Sequence, residues 1–170
     1  MAAVPTLEIE RGLWADASLV IGMDEVGRGA LAGPVSVGAL ALHAAGLDVA
    51  SAAILLDGIH DWLAPALRRP IRTTLRATAD RDCASVSGAA LVAKVERDGR
   101  MVEADAVHPG YSWASNKGYG SATHLAAIAE LGPSLLHRRT WLHSILQPAA
   151  EAEPVPTGRA AAVVPTHPPA

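Results

Sequence analysis

The sequence predicts an α/β fold, a mixed sheet covered by helices. Three observations predict it: apolar runs of strand length succeed one another in the first half of the chain, helical apolar spacing is confined to the second half, and half of the 170 residues are apolar. That apolar content excludes a disordered chain, and the length fits one core of ordinary domain size. The formal charge is −3, from 14 Lys+Arg against 17 Asp+Glu. No apolar run approaches the roughly 18 uncharged residues of a membrane helix. Residues 1–11 lack the basic-then-apolar layout of a signal peptide, so the expectation is a cytoplasmic protein with no membrane partner. The single Cys83 excludes an internal disulfide and a multi-cysteine zinc site. With four Trp, two Tyr and no Phe, the core must be filled largely by Ala, Leu and Val.

Each element has its own signal. Residues 1–18 form an N-terminal extension with a short amphipathic helix over 7–13. Residues 19–23 (LVIGM) are a buried strand running into Asp24 and Glu25, residues 34–42 (PVSVGALAL) a second strand, and 53–56 (AILL) a third, closed by Asp57 and Gly58. A weaker fourth covers 73–77, whose Thr and Arg residues place one face in water. From 87 to 107 apolar residues recur at 89, 92, 93, 95, 101 and 102, a helical spacing with Lys94, Glu96, Arg97 and Asp98 on or beside the polar face. Glycine and asparagine breakers make 111–120 a loop; Ser121 then caps a helix that runs to Gly132, followed by Pro133, and a last short helix covers 134–146. Residues 147–170 hold six of the twelve prolines with no apolar period, a disordered tail behind a main domain over 19–146.

Asp24 and Glu25 end one strand, Asp57 ends another, and Asp80 follows a third. Unpaired buried charge is expensive, and four converging carboxylates repel one another. Hard divalent cations with oxygen ligands, Mg²⁺ or Mn²⁺, are the usual remedy. Strand ends also meet loops, where acids are common as caps and turn formers, so spacing alone leaves both readings open. Gly27-Arg28-Gly29 lets backbone N–H groups approach a ligand, but it matches neither a P-loop nor a dinucleotide fingerprint. The seven histidines (43, 60, 108, 124, 137, 143 and 167) show no HExxH or i, i+4 ligand pairing, and His124 and His137 are expected to make structural hydrogen bonds.

Taken together these residues are specific. IGMDEVGRGALAGPV at 21–35 closely resembles the opening signature of the ribonuclease HII family. LLDG at 55–58, ADRDCASVSGAALVAKVERD at 79–98, HPGYSWASNKGYGSATH at 108–124 and LGPSLLHRR at 131–139 match further blocks in the family's order. The resemblance implies a ribonuclease H-like fold and a two-metal phosphodiesterase acting on RNA:DNA hybrids or on single ribonucleotides in duplex DNA. It places the metal-binding and catalytic acids on Asp24, Glu25, Asp57 and Asp80, with Asp82 and Asp98 as competitors for the last role. It assigns recognition of the ribose 2′-hydroxyl to Gly27, Arg28, Gly29 and Tyr119; among the chain's cations, Lys117 of the NKGYG stretch is the expected contact to the substrate backbone. The charge of −3 implies weak, strongly salt-dependent binding through some of Arg28, Arg72, Arg76, Lys94, Lys117, Arg138 and Arg139.

The chain departs from the family in one large respect. Only 22 residues separate Pro34 from Asp57, where the family has a connection several times longer, with an outer strand, helices and an Asp-Ser-Lys-Leu motif. A ten-residue link, 43–52, can still span strand one between strand two and the Asp57 strand, so the expected sheet is truncated by loss of an edge strand and helices. Strand two then exposes an apolar edge, which predicts edge-strand self-association. Smaller departures are Ile59, Thr78 and the Ser87-Gly88 pair, each beside the expected site. The alternatives to a nuclease are a catalytically impaired relative that binds hybrid duplex without efficient cleavage, and a small-molecule phosphohydrolase with the same metal site.

Overall fold

The computed structural model describes residues 4–43 and 51–143. The tail over 147–170, the end of the last predicted helix and most of the 43–52 link lie outside these described residues. The chain runs through helix α1 (Glu8–Leu13) and strands β1 (Leu19–Val26), β2 (Ser36–His43), β3 (Ala52–Asp57) and β4 (Arg72–Arg76). Helices α2 (Ala79–Asp82), α3 (Ala84–Val107), α4 (Trp113–Asn116) and α5 (Ala122–Leu131) follow. The sheet order is β2-β1-β3-β4. β2 is antiparallel to β1, while β3 is parallel to β1 and β4 to β3, so the short link joins strands flanking β1 as the topology requires. Among the described residues β2 has no strand on its outer side.

α3 lies almost on the backbone of the sheet. A Cβ on Gly22 of β1 would come within 2.4 Å of Ser85, and one on Gly38 of β2 within 2.0 Å of the Ala89 carbonyl, so only glycine permits this approach. The approach decides which face of α3 is buried. Ser85, Val86, Ala89, Ala93, Arg97 and Met101 point inward, whereas Val92, Val95 and Val102 are exposed. This corrects the expected polar face, because Arg97 is fully buried: small residues are selected where the helix touches the sheet, and valines remain outside. One apolar cluster (Leu13, Val20, Leu55, Ala79, Cys83, Val86) joins α1 to the β1–β3 side. A second (Ala32, Met101, Tyr111, Trp113, Ala127, Ile128, Leu142) joins α3 to α4 and α5.

The α1 carboxylate of Glu10 is fully buried and accepts from the Ser85 amide (2.8 Å) and hydroxyl (2.7 Å), capping α3 from another element. Ser121 caps α5 as expected, its hydroxyl accepting from the His124 amide, and Gly132 ends that helix at φ +75°. Two expectations need correction. The 111–120 segment contains the single helical turn α4, held by the Asp105 carboxylate on the Trp113 amide (2.7 Å). The segment after Pro133 is not a helix among its described residues. It forms a bridge between Ala32 and His137 and one 3₁₀ turn, Arg139–Trp141, because its backbone pairs with the loop after β1, Arg138 N donating to the Leu31 carbonyl (2.8 Å).

Candidate active site

β1 and β3 run side by side as far as the pair Met23 and Leu56, so the next residues of the two strands, Asp24 and Asp57, sit together at their C-terminal ends. β1 continues against β2 through Glu25 and Val26. Asp57 Oδ1 accepts from the Ala79 amide (2.6 Å) and so anchors the first turn of α2, which carries Asp80. Thr78, just before it, is held in the left-handed region at φ +60°, a conformation that costs a β-branched residue about 1 to 2 kcal/mol. All four acids are half-buried.

Burial is the main cause that pushes the Asp24 carboxyl up to about 6, and Asp57, Glu25 and Asp80 push it in the same direction against the Glu25 amide, which donates to Asp24 Oδ1 (2.7 Å). Glu25 is turned to Arg28 (3.0 Å). No three His, Cys, Asp or Glu side chains among the described residues form a cluster that could hold an ion as they stand. The donor chemistry nevertheless suits one: Asp57, Glu25 and Asp80 all act on Asp24, whose ionised form is destabilised, and a cation would reverse that. The competitors lie elsewhere in charge terms, Asp82 paired with Arg76 (2.7 Å) and Asp98 with Lys94 (2.9 Å).

The turn after β1 is built by arginines. Gly27 is buried at φ +87°, and a Cβ there would lie 2.0 Å from Arg97 Nε. Arg97 donates to the Pro34 (3.0 Å) and Ala32 (3.3 Å) carbonyls. Arg138 donates to the carbonyls of Gly27 (2.8 Å), Gly33 (3.3 Å) and Arg28. Arg28 and Gly29 remain exposed at the tip. The Gly118 carbonyl accepts from the Leu31 (2.8 Å) and Ala32 (3.1 Å) amides, docking the 116–120 loop onto this turn. Tyr119 lies over the Arg97 guanidinium, 5.1 Å from its centre, and the residue is 38% exposed. Lys117 Nζ folds back onto the Ala114 carbonyl. The predicted recognition residues therefore form one shelf.

Sequence reasoning counts Arg138 among the cations available to substrate, but its guanidinium is occupied by main-chain oxygens. The same reasoning misses Arg97 as a site-building residue; the signal is present in its position, one helical turn before Met101 and one after Ala93, on the stripe of small residues. Arg72 and Arg76 are likewise paired with Asp16 and Asp82.

A model of the ribonuclease HII family matches residues 45–144, more than half of the chain. The chain is 31% identical over 200 positions to the ribonuclease HII of Streptomyces avermitilis, covering 82% of this chain and 84% of the relative. It is 33% identical over 194 positions to that of Geobacter metallireducens, covering 78% and 91%. The chain belongs to the ribonuclease HII family. Ribonuclease HII enzymes are nuclease hydrolases of the ribonuclease H type. The ribonuclease HII of Rhizorhabdus wittichii is 46% identical over 97 residues, a match that spans 57% of this chain and 46% of that relative. The fold agrees: the crystal structure of the ribonuclease H2 from Pyrococcus horikoshii OT3 superposes with a TM-score of 0.51 at 16% identity, over 72% of this chain and 93% of that one. The alignment with the Streptomyces enzyme spans 200 positions yet draws on 82% of 170 residues, so about 60 of its positions have no residue here.

Proposed function

We propose that this chain is a metal-dependent endoribonuclease that cleaves RNA in RNA:DNA hybrids and cuts 5′ to single ribonucleotides embedded in duplex DNA, leaving 3′-hydroxyl and 5′-phosphate ends. The observation that carries the reading is the meeting of Asp24 and Asp57 at the ends of adjacent parallel strands, with Asp80 and Glu25 acting electrostatically on the same carboxyl. Divalent ions held by Asp24, Glu25, Asp57 and Asp80 would polarise the scissile phosphate and stabilise the departing oxygen. The chain's own residues supply the selection. The exposed tip of the 27–30 turn offers main-chain groups to a 2′-hydroxyl, the one group that separates ribose from deoxyribose, and its arginine braces make those groups rigid. The Tyr119 ring provides a flat apolar surface for the adjoining sugar. Substrate grip is weak, because most of the cations near the shelf already have protein partners.

The test is incubation of the protein with a DNA duplex carrying one ribonucleotide, in Mn²⁺ or Mg²⁺, with products resolved on a denaturing gel. The expected result is a single cut 5′ to the ribonucleotide that disappears in Asp24→Asn. A wild-type chain that leaves the duplex intact in both metals, or an Asp24→Asn variant that still cuts, refutes the reading.

A further inference from the structure

One buried polar cluster has no part in the site as described so far. Trp113, His124 and His137 pack together beneath the shelf, all at 6% exposure or less. His124 Nδ1 lies 2.8 Å from the Tyr119 carbonyl, which can only accept, so this nitrogen carries the proton. Its Nε2 must then accept, and two groups face it: the Trp113 indole N–H at 2.9 Å and His137 Nε2 at 3.1 Å. His137 Nδ1 in turn receives the Ser134 amide N–H at 3.0 Å, an obligate donor, so the His137 proton sits on Nε2 and points at His124. Hydrogen bonds run from Ser134 through both rings to Tyr119, with the Trp113 indole N–H sharing the single His124 Nε2 lone pair, and only one pair of neutral tautomers satisfies the set.

This chain of bonds joins the two halves of the shelf. Tyr119 belongs to the loop docked by Gly118, and His137 immediately precedes Arg138, whose guanidinium holds the carbonyls of Gly27, Arg28 and Gly33. His137 itself bridges to Ala32, and the Gly33 amide donates to Leu136 (3.0 Å). We propose that His124 and His137 are positioning residues for ribose recognition, fixing the distance between the Tyr119 loop and the 27–33 turn. This rests on the endoribonuclease reading, and the pair touches no substrate.

The readouts separate this role from ordinary core packing. In the wild-type chain at neutral pH, ¹⁵N NMR is expected to show the proton on Nδ1 of His124 and on Nε2 of His137; the opposite tautomer on either ring overturns the proposal. Fluorescence anisotropy, in Ca²⁺ so that binding is read without turnover, compares a duplex carrying one ribonucleotide with an all-DNA duplex. His124→Leu, confirmed as folded by circular dichroism, is expected to lose about tenfold in that preference, as befits loss of one positioning hydrogen bond to a buried carbonyl. His124→Asn, whose amide can still donate toward Tyr119, is expected to retain it within about threefold. Amide exchange at Gly33 should accelerate in the leucine variant although it lies on another segment. A folded His124→Leu chain with unchanged preference or an unaltered Gly33 amide overturns the proposal, as does a wild type that binds both duplexes equally. Preference without cleavage refutes the nuclease reading alone.

Discussion

The carboxylate corner at the ends of β1 and β3 and the shelf formed by the 27–34 turn, α4 and α5 handle polar groups in opposite ways. On the shelf, most buried donors meet acceptors: Arg138 reaches three carbonyls, Arg97 reaches two through Nε and Nη2 while its Nη1 has no hydrogen-bond partner among the described residues, and the paired histidines form one chain. In the corner, like charges are crowded, Asp24 is pushed to about 6, and Thr78 sits in a left-handed conformation. Satisfied polar networks give rigidity, which recognition of one hydroxyl requires. Unreconciled charge stores affinity for a cation.

The contrast breaks first at Arg97. Arg97→Ala leaves a cavity against Met101 and strips the Ala32 and Pro34 carbonyls of their donor, an expected loss of about 3 to 5 kcal/mol in denaturant unfolding. A loss below about 1 kcal/mol would show that the shelf does not depend on it.

The next effect is in pH. Burial, with His124 and His108 nearby, lowers His137 to about 4 from 6.5. The unfolded chain therefore binds the extra proton between these values. The stabilisation is complete above about pH 6.5 and falls as pH drops toward 4, by on the order of 3 kcal/mol. Asp24 has the reverse sign: raised from 3.8 to about 6, its ionisation weakens the fold as pH rises through that range. The histidine slope should thus be steeper in Asp24→Asn than in wild type; equal slopes would contradict the account.

Asp24→Asn itself should stabilise the metal-free protein at pH 7.5 by about 1 to 2 kcal/mol in thermal unfolding, since it removes a charge the fold resists. Thr78→Gly should add up to about 1 kcal/mol by relieving the left-handed residue. Smallest in stability, within about 0.5 kcal/mol, is Val37→Lys with Ala41→Lys on the exposed side of β2. Light scattering should show the wild type associating at high concentration and this variant monodisperse, as charge protects a free strand edge.

Much of this was legible in the residues. The four strands and the Ser121 cap follow from local apolar runs and turn residues, whereas the strand directions and the grouping of Asp24 with Asp57 follow only from the family resemblance, since spacing alone left the acids open. Arg97 did not, because helical periodicity ranks a guanidinium as polar and cannot register that carbonyls of a distant loop will surround it. The last helix failed for a similar reason: residues 134–138 have helical propensity, but their backbone groups are claimed by Leu31, Ala32 and Gly33. The His124 and His137 pairing depended on tertiary contact that no spacing rule encodes.

The central claim is that the corner of Asp24, Glu25, Asp57 and Asp80 still takes up divalent ions in the shortened chain. Calorimetric titration with Mn²⁺ at pH 7.5 tests it without any substrate. Saturable binding by the wild type that is lost in both Asp24→Asn and Asp57→Asn is the predicted result; no binding by the wild type, or equal binding by the variants, would contradict it.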